Sequence, residues 1–197
     1  MNIQDILKEI EKDAKENHIP ILQKEGEDFL LSLLKEDESI RDVLEVGTAI
    51  GYSSIAMASV RWDMHIDTIE IDPKRIEKAK DYIGQANIED RITIIEGDAL
   101  KIDLDKIYDF ILIDAAKSQY RKYIEHFYEN SRVGTIFFFD NMSFHGMVED
   151  DSLTHNRSTI QMMHKIKKFK ETIKKDPRFE VEEKDIGDGL LILKRIQ

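Results

Sequence analysis

Short apolar runs alternate with amphipathic stretches through the middle of the chain. The runs are Val43–Val46, His65–Ile71, Arg91–Ile95, Phe110–Ile113 and Thr135–Phe139. Between most of them lie stretches with helical spacing, at Ser53–Val60, Pro73–Ile83 and Gln119–Tyr128. Short apolar runs predict strands buried on both faces, and their alternation with helices predicts a parallel sheet covered on both sides. The two ends break this rhythm. Ile3, Ile6, Leu7 and Ile10 predict an N-terminal helix, and Phe29, Leu30, Leu33 and Leu34 a second one after Pro20. Residues 1–38 are thus read as a helical extension. Near the other end, Met162, Ile166, Phe169 and Ile173 mark a long helix and are expected to face the core. Phe179–Glu183 and Leu190–Leu193 predict two strands joined by the Asp- and Gly-rich stretch Asp185–Gly189, a hairpin that reverses the last strand. The expected fold is α/β: one domain over residues 1–197, a seven-stranded, mostly parallel sheet with an antiparallel last strand, and helices on both faces.

Composition narrows the class. A chain of 197 residues, 41% hydrophobic, can build one substantial core. No apolar stretch is long enough to span a bilayer, and MNIQDILKEIEKDAKENH has no signal-peptide block, so a cytoplasmic protein is expected. The absence of cysteine excludes disulfides, thiolate chemistry and zinc sites built on sulfur. The net charge of −11 argues against non-specific coating of nucleic acid. The charge is uneven, however. Arg157, Lys165, Lys167, Lys168, Lys170, Lys174 and Lys175 stand against the single acid Glu171 in the segment His155–Lys175. That cluster reads either as a solvated helix face or as a phosphate contact, with Arg157, Lys165 and Lys168 as the candidates.

Three successive strands end in groups suited to a nucleotide. In Val43-Leu44-Glu45-Val46-Gly47-Thr48-Ala49-Ile50-Gly51-Tyr52-Ser53, strand passes through a glycine turn into helix. Glu45, Gly47, Thr48 and Gly51 are candidate cofactor contacts, although the turn lacks the third glycine of the dinucleotide fingerprint and could be a plain strand-to-helix turn. Glu70 ends the next strand at the distance of a ribose-binding carboxylate, while Asp72 before Pro73 reads as a helix cap. Asp98 and Ala99 follow the third strand and suit an adenine amino group and ring, with a turn acid as the alternative for Asp98.

The next two strands end in acids. Asp114 follows Phe110–Ile113, and Asp140-Asn141 follow Thr135–Phe139. Neighbouring carboxylates repel unless a positive charge lies between them. Two carboxylates and an amide oxygen with open positions suit Mg²⁺, or Mn²⁺ or Ca²⁺. Asp114 also borders the nucleotide crevice. Lys117 is a candidate base, provided that burial lowers its pKa; the alternative is an exposed lysine at a helix start. Helix capping is the alternative for the two acids.

The motifs VLEVGTAIGYSS, TIEID, EGDA, YDFILIDAAKSQY and FFFDNM together resemble the metal-dependent class I O-methyltransferases that include the catechol and caffeoyl-CoA enzymes. The resemblance runs from about His18 to the end of the chain. It implies the Rossmann-like class I methyltransferase fold and S-adenosylmethionine as cofactor. It also implies a divalent metal on Asp114, Asp140 and Asn141, Lys117 as base, Glu70 on the ribose, Asp98 and Ala99 on the adenine, Ser53 on the methionine carboxylate, and a homodimer. The further acid that holds the second hydroxyl in the catechol enzymes has no evident counterpart. HIPILQKEGEDFLLSLL, DNMSFHGMV, NRSTI and IGDGL resemble the bacterial branch that methylates 5-hydroxyuridine in tRNA, which implies a tRNA partner. A catechol and 5-hydroxyuridine both offer two adjacent oxygens, so a small catechol-like or hydroxycinnamoyl acceptor is the alternative. An NAD-type oxidoreductase and a silent nucleotide-binding module are disfavoured, by the missing glycine and by the intact acid–lysine set respectively. His145 and His155 could line the substrate mouth or simply be exposed.

Overall fold

The computed structural model describes residues 2–143, 148 and 155–197; His145 lies outside them. Strands β1 (Asp42–Val46), β2 (His65–Glu70), β3 (Ile92–Glu96), β4 (Tyr108–Ile113) and β5 (Ser131–Phe139) are parallel. The strands β6 (Phe179–Lys184) and β7 (Leu190–Arg195) form the C-terminal hairpin, with β7 antiparallel to both β5 and β6. The order β3-β2-β1-β4-β5-β7-β6 makes one seven-stranded sheet. The chain crosses from the β3 edge back to β4 beside β1. That reversal opens a crevice at the carboxyl ends of the strands, where open α/β sheets bind ligands.

Side chains alternate across a strand, and the Phe137-Phe138-Phe139 run shows what this does. Phe138 enters the layer containing Val43, Phe110 and Leu112, which is covered by α1 (Ile3–Glu16), α2 (Lys24–Glu36), α3 (Tyr52–Val60) and α4 (Pro73–Ala86). Phe137 and Phe139 enter the opposite layer with Ile111 and Ile113, under α5 (Tyr120–Phe127) and α6 (Arg157–Ile173). Phe138 meets Phe110 with ring centroids 5.8 Å apart, and Phe139 meets Tyr120 at 5.0 Å. All three phenylalanines are fully buried. Each contributes about 2–3 kcal/mol relative to exposure, which locks the strand end in place.

Local chemistry sets the helix ends. Asn2 caps α1 through the Asp5 amide, Asp72 caps α4 through Lys74 with Pro73 at the first helical position, and Asn156 caps α6 through Ser158 and Thr159. The N-terminal extension is tied to the body by polar contacts. Lys78 of α4 lies 2.7 Å from both carboxylate oxygens of Asp13, and the Tyr52 hydroxyl lies 2.9 Å from Glu11 and 3.0 Å from Glu27.

Two details depart from the pattern of apolar positions. In α6 the residue that faces the core is Met163, in line with Ile166, Phe169 and Ile173; Met162 is one position off that line and half-buried. Strand β5 begins at Ser131 rather than Thr135. Its first residues are polar or exposed, and the register with β4 shifts between Tyr108 and Phe110, so no apolar run marks them. No helix among the described residues is long and apolar enough to cross a membrane.

Candidate active site

The turn after β1 is built by steric exclusion. Gly47 has φ +110°, and a Cβ there would stand 2.2 Å from the Asp114 carbonyl oxygen. Only glycine lets the ends of β1 and β4 come this close. The amides of Gly47 and Thr48 donate to the Ile69 carbonyl at 2.9 and 3.1 Å. Ala49 and Gly51 also have positive φ, 46° and 89°. Below the turn sits Glu45, fully buried, accepting hydroxyl hydrogen bonds from Ser53, Ser54 and Thr68. Burial pushes its carboxyl pKa up, and the three hydroxyls oppose that shift.

Beside this turn the ends of β1 to β4 enclose a cavity of about 350 Å³. Glu70 is its most constrained carboxylate. Its Oε1 accepts from the amides of Ile71 and Asp72 at 2.9 and 3.0 Å, and its Oε2 from Ala49 at 2.9 Å. Asp98 also lines the cavity; the Leu100 amide donates to it at 3.1 Å and draws its pKa down, with help from Lys101. An acceptor-rich pocket with fixed carboxylates suits a ligand that presents hydroxyl and amino groups.

The chemical end adjoins it. Asp114 is pushed up in pKa by burial, against the opposing pull of Lys117. Asp140, 1% exposed, is pushed up to about 6 by burial and by the negative charges of Asp114 and Asp188, against its Asn141 amide bond and Lys117. Asn141 sits in the left-handed region at φ 59°, uncommon outside glycine. Its amide N–H donates to Asp140 Oδ1 at 2.7 Å and its side-chain Nδ2 to Oδ2 at 3.3 Å. Lys117 opens a 3₁₀ turn, Lys117–Gln119, and its Nζ donates to the Asn141 carbonyl at 3.3 Å. Burial lowers the Lys117 pKa, and Asp114, Asp140 and Asp188 partly restore it.

A family model described as O-methyltransferase matches residues 2–196. The chain belongs to the O-methyltransferase family. Among solved structures, a Staphylococcus aureus protein provisionally named a caffeoyl-CoA O-methyltransferase superposes with a TM-score of 0.89 at 33% identity, over 96% of this chain and 91% of that one. An O-methyltransferase from Bacillus cereus, solved in complex with SAH, gives a TM-score of 0.81 at 26% identity, over 97% of this chain and 91% of that one. In sequence, a caffeoyl-CoA O-methyltransferase of Populus kitakamiensis is 29% identical over 177 residues, 84% of this chain and 74% of the relative. The fold anticipated from the strand pattern is the one these structures share.

In this O-methyltransferase the predicted site residues fall into groups. Gly47, Glu70, Asp98, Ala99 and Asp114 line the cavity. Glu45, Thr48, Gly51 and Ser53 are not among the residues lining it. Ser53 donates its hydroxyl to Glu45, and Thr48 pairs with Thr68 at 2.6 Å. These four build the floor of the turn. Asp114, Asp140, Asn141 and Lys117 do come together. Among the described residues, no three His, Cys, Asp or Glu side chains gather as a metal-binding group; the third predicted ligand, Asn141, is an amide. Lys165 and Lys168 line a groove beside Lys117; Arg157, one helix end away, does not. His155 is exposed.

Several neighbours of the site escaped the sequence reading. Arg75, Gln119 and Tyr123 line the cavity from α4, the 3₁₀ turn and α5, where helical periodicity hides them. Asp188, 6% exposed, acts on both Lys117 and Asp140 from the hairpin loop, where an Asp between two glycines reads simply as turn chemistry. Gly26 of α2 also approaches the site. A Cβ there would lie 3.2 Å from Asp140 Oδ1.

Proposed function

We propose that this enzyme transfers the methyl group of S-adenosylmethionine to a hydroxyl that has a second oxygen beside it, with Lys117 as the base. The carrying observation is the meeting of Lys117 with the half-buried Asp114 and the buried Asp140, next to the crevice that holds Glu70 and Asp98. Glu70, Asp98 and Ala99 would hold the nucleoside of the cofactor, which supplies an electrophilic methyl. The donor set also fits a divalent cation. Burial raises the pKa of both carboxylates, and the negative charges of Asp114 and Asp188 raise that of Asp140 further, which a cation would offset. Asp114, Asp140 and the amide oxygen of Asn141 would hold it. When bound, it supplies Lewis acidity that lowers the pKa of an acceptor hydroxyl.

The protein's own part is positioning and proton removal. Lys117 in its neutral form takes the acceptor proton at Nζ, and burial raises its neutral fraction. Its bond to the Asn141 carbonyl fixes the ammonium beside the strand ends when it is charged. The buried phenylalanines behind Asp140 keep that carboxylate from drifting.

A catechol-like or hydroxycinnamoyl small molecule carries the required oxygen pair, and the name of the poplar relative supports that acceptor class. A second reading, 5-hydroxyuridine at the tRNA wobble position, is supported by the basic face of α6 beside Lys117. The test is transfer of labelled methyl from S-adenosylmethionine, with Mg²⁺ or with chelator, to a catechol and hydroxycinnamoyl panel and to hypomodified tRNA. Label in a small catechol alone overturns the tRNA reading, and label in neither acceptor overturns both. Full activity in chelator refutes the catalytic cation.

A further inference from the structure

Gly26 and Glu27 are consecutive residues in the first turn of α2, and they meet two different ends of the site. Glu27 is 3% exposed and shares the core-facing stripe of the helix with Leu30 and Leu34. A carboxylate in such a stripe is costly to bury unless it is bonded. Its Oε2 accepts from the Tyr52 hydroxyl at 3.0 Å and lies 3.4 Å from the Lys24 ammonium. Burial and the carboxylates of Glu11 and Glu27 push the Tyr52 pKa far up, so the phenol keeps its proton and serves as the donor. Tyr52 is the first residue of α3 and directly follows Gly51, the last glycine of the turn that begins at Gly47. Gly47 lines the cavity beside that turn. Glu27 is thus bonded to the element that shapes the cofactor end.

Gly26 meets the chemical end. A Cβ on it would stand 3.2 Å from Asp140 Oδ1. The hairpin loop packs on the same turn of α2, since a Cβ on Gly187 would lie 3.5 Å from the Gly26 nitrogen and 3.7 Å from Gln23 Oε1. That loop also accepts from strand β5's continuation: the Met142 amide donates to Gly189 at 2.9 Å and the Ser143 amide to Asp188 at 2.7 Å. Phe139 is paired with Leu191, so Asp140 and Asn141 together stand opposite Leu190 as a bulge, which re-aims their side chains. Phe29, three residues beyond Gly26, stacks on Phe138 with ring centroids 6.3 Å apart and ties α2 to the same strand. One turn of helix therefore touches the cofactor turn, the bulge and the loop that closes it.

We propose that Glu27 is a positioning residue for methyl transfer. Through the Tyr52 hydroxyl it locks the first turn of α2 to the cofactor turn, while the adjoining Gly26 bears on Asp140, so the two ends of the site keep one fixed spacing. Donor and acceptor must be aligned closely for the methyl to pass, and a small error in their spacing costs rate without costing affinity. The inference rests on the methyl-transfer reading, with Asp140 at the acceptor end.

The test compares wild type with Tyr52→Phe, Glu27→Ala, Glu27→Gln and the double variant Glu27→Ala/Tyr52→Phe. Calorimetry gives the stoichiometry and affinity of S-adenosylhomocysteine. Rate assays give kcat and KM for whichever member of the catechol, hydroxycinnamoyl and tRNA panel the wild type methylates. Tyr52→Phe and Glu27→Ala should each lower kcat about tenfold, with KM and S-adenosylhomocysteine affinity within about threefold of wild type and stoichiometry unchanged. The double variant should be no slower than the slower single one, because both remove the same bond. Glu27→Gln should keep at least about half of the wild-type kcat, since its amide oxygen still accepts from Tyr52. Wild-type kcat in Tyr52→Phe or Glu27→Ala overturns the inference. So does a loss matched by a fall in S-adenosylhomocysteine stoichiometry, which marks misfolded chains, or multiplying effects in the double variant, or a Glu27→Gln enzyme as slow as Glu27→Ala. Tyr52→Phe removes a single oxygen atom and carries the comparison should Glu27→Ala fold poorly. Absence of transfer by the wild type to every acceptor overturns the methyl-transfer reading itself, and the inference with it.

Discussion

Gly26 lies in the first turn of α2 with an ordinary helical backbone, where alanine should be the better residue by up to about 1 kcal/mol. Its missing side chain faces Asp140. A Cβ at this position would stand 3.2 Å from Asp140 Oδ1 and 3.5 Å from both Cγ and Oδ2. Contact at 3.2 Å requires the carboxylate to give way by a few tenths of an ångström. Asp140 cannot recede freely, because Phe137–Phe139 are packed behind it and Asn141 binds both of its oxygens. Gly26→Ala should therefore separate stability from catalysis. The helix gain and the crowding nearly cancel, so the change in stability stays within about 1 kcal/mol, or roughly 2–4 °C in Tm for a chain of this size. If Asp140 holds the cation as proposed, misplacing it by a fraction of an ångström should cost about three- to tenfold in kcat. The Mg²⁺ concentration for half-activation should rise, while S-adenosylhomocysteine binding is unchanged. Urea unfolding, a Mg²⁺ titration of methyl transfer and calorimetry measure the three quantities. A variant with wild-type kcat and wild-type Mg²⁺ response would show that the position of Asp140 does not matter to the reaction.

Other perturbations probe different parts of the argument. Lys117→Arg keeps the charge but removes a base that can titrate near neutrality, so methyl transfer should fall at least about 100-fold with S-adenosylhomocysteine affinity intact; calorimetry beside a rate assay checks this. Glu45→Ala removes the acceptor shared by three hydroxyls, of which Ser53 and Ser54 lose their carboxylate partner while Thr68 keeps Thr48, and should destabilise the protein by about 2–3 kcal/mol in denaturant titration while weakening S-adenosylhomocysteine binding. Gly47→Ala drives a Cβ into the Asp114 carbonyl and should abolish S-adenosylhomocysteine binding outright. Asp176 is held at a pKa of about 2 by its hydrogen bonds from Arg178. Its folded pKa is depressed, so its stabilisation is present above the unfolded value near 4 and is lost as pH falls toward 2. The stability gap between wild type and Asp176→Asn should be about 2 kcal/mol at pH 7 and close across that window, as urea titrations at several pH values would show.

Much of the site could be anticipated because it lies at strand ends. An apolar run that stops at a polar residue reports both the buried strand and the place where the sheet opens, and Glu70, Asp98, Asp114 and Asp140 are all flagged in this way. The same reasoning reached Lys117, which follows its strand closely. It could not reach Gly26, Asp188, Tyr123 or Arg75. These residues come to the site from helices and a hairpin loop whose local patterns are fully explained by helix or turn formation. It also treated Glu45 and Ser53 as ligand contacts, whereas their side chains meet each other beneath the turn.

The sequence by itself determined the alternation of strands and helices, the reversed last strand and the acids at the carboxyl edge, because periodicity and chain order act locally. Tertiary structure alone decided which charges lack partners. Lys165, Lys168, Lys170 and Lys174 are equivalent in sequence, yet Glu183 from a distant strand bridges the last two, and the first two face a groove beside Lys117. It also decided that Asp114 and Asp140 share one desolvated neighbourhood with Lys117, which displaces all three from their ordinary pKa values. Burial and electrostatic coupling depend on distances between residues far apart in the chain, and the packing of the sheet between its two helical layers sets those distances.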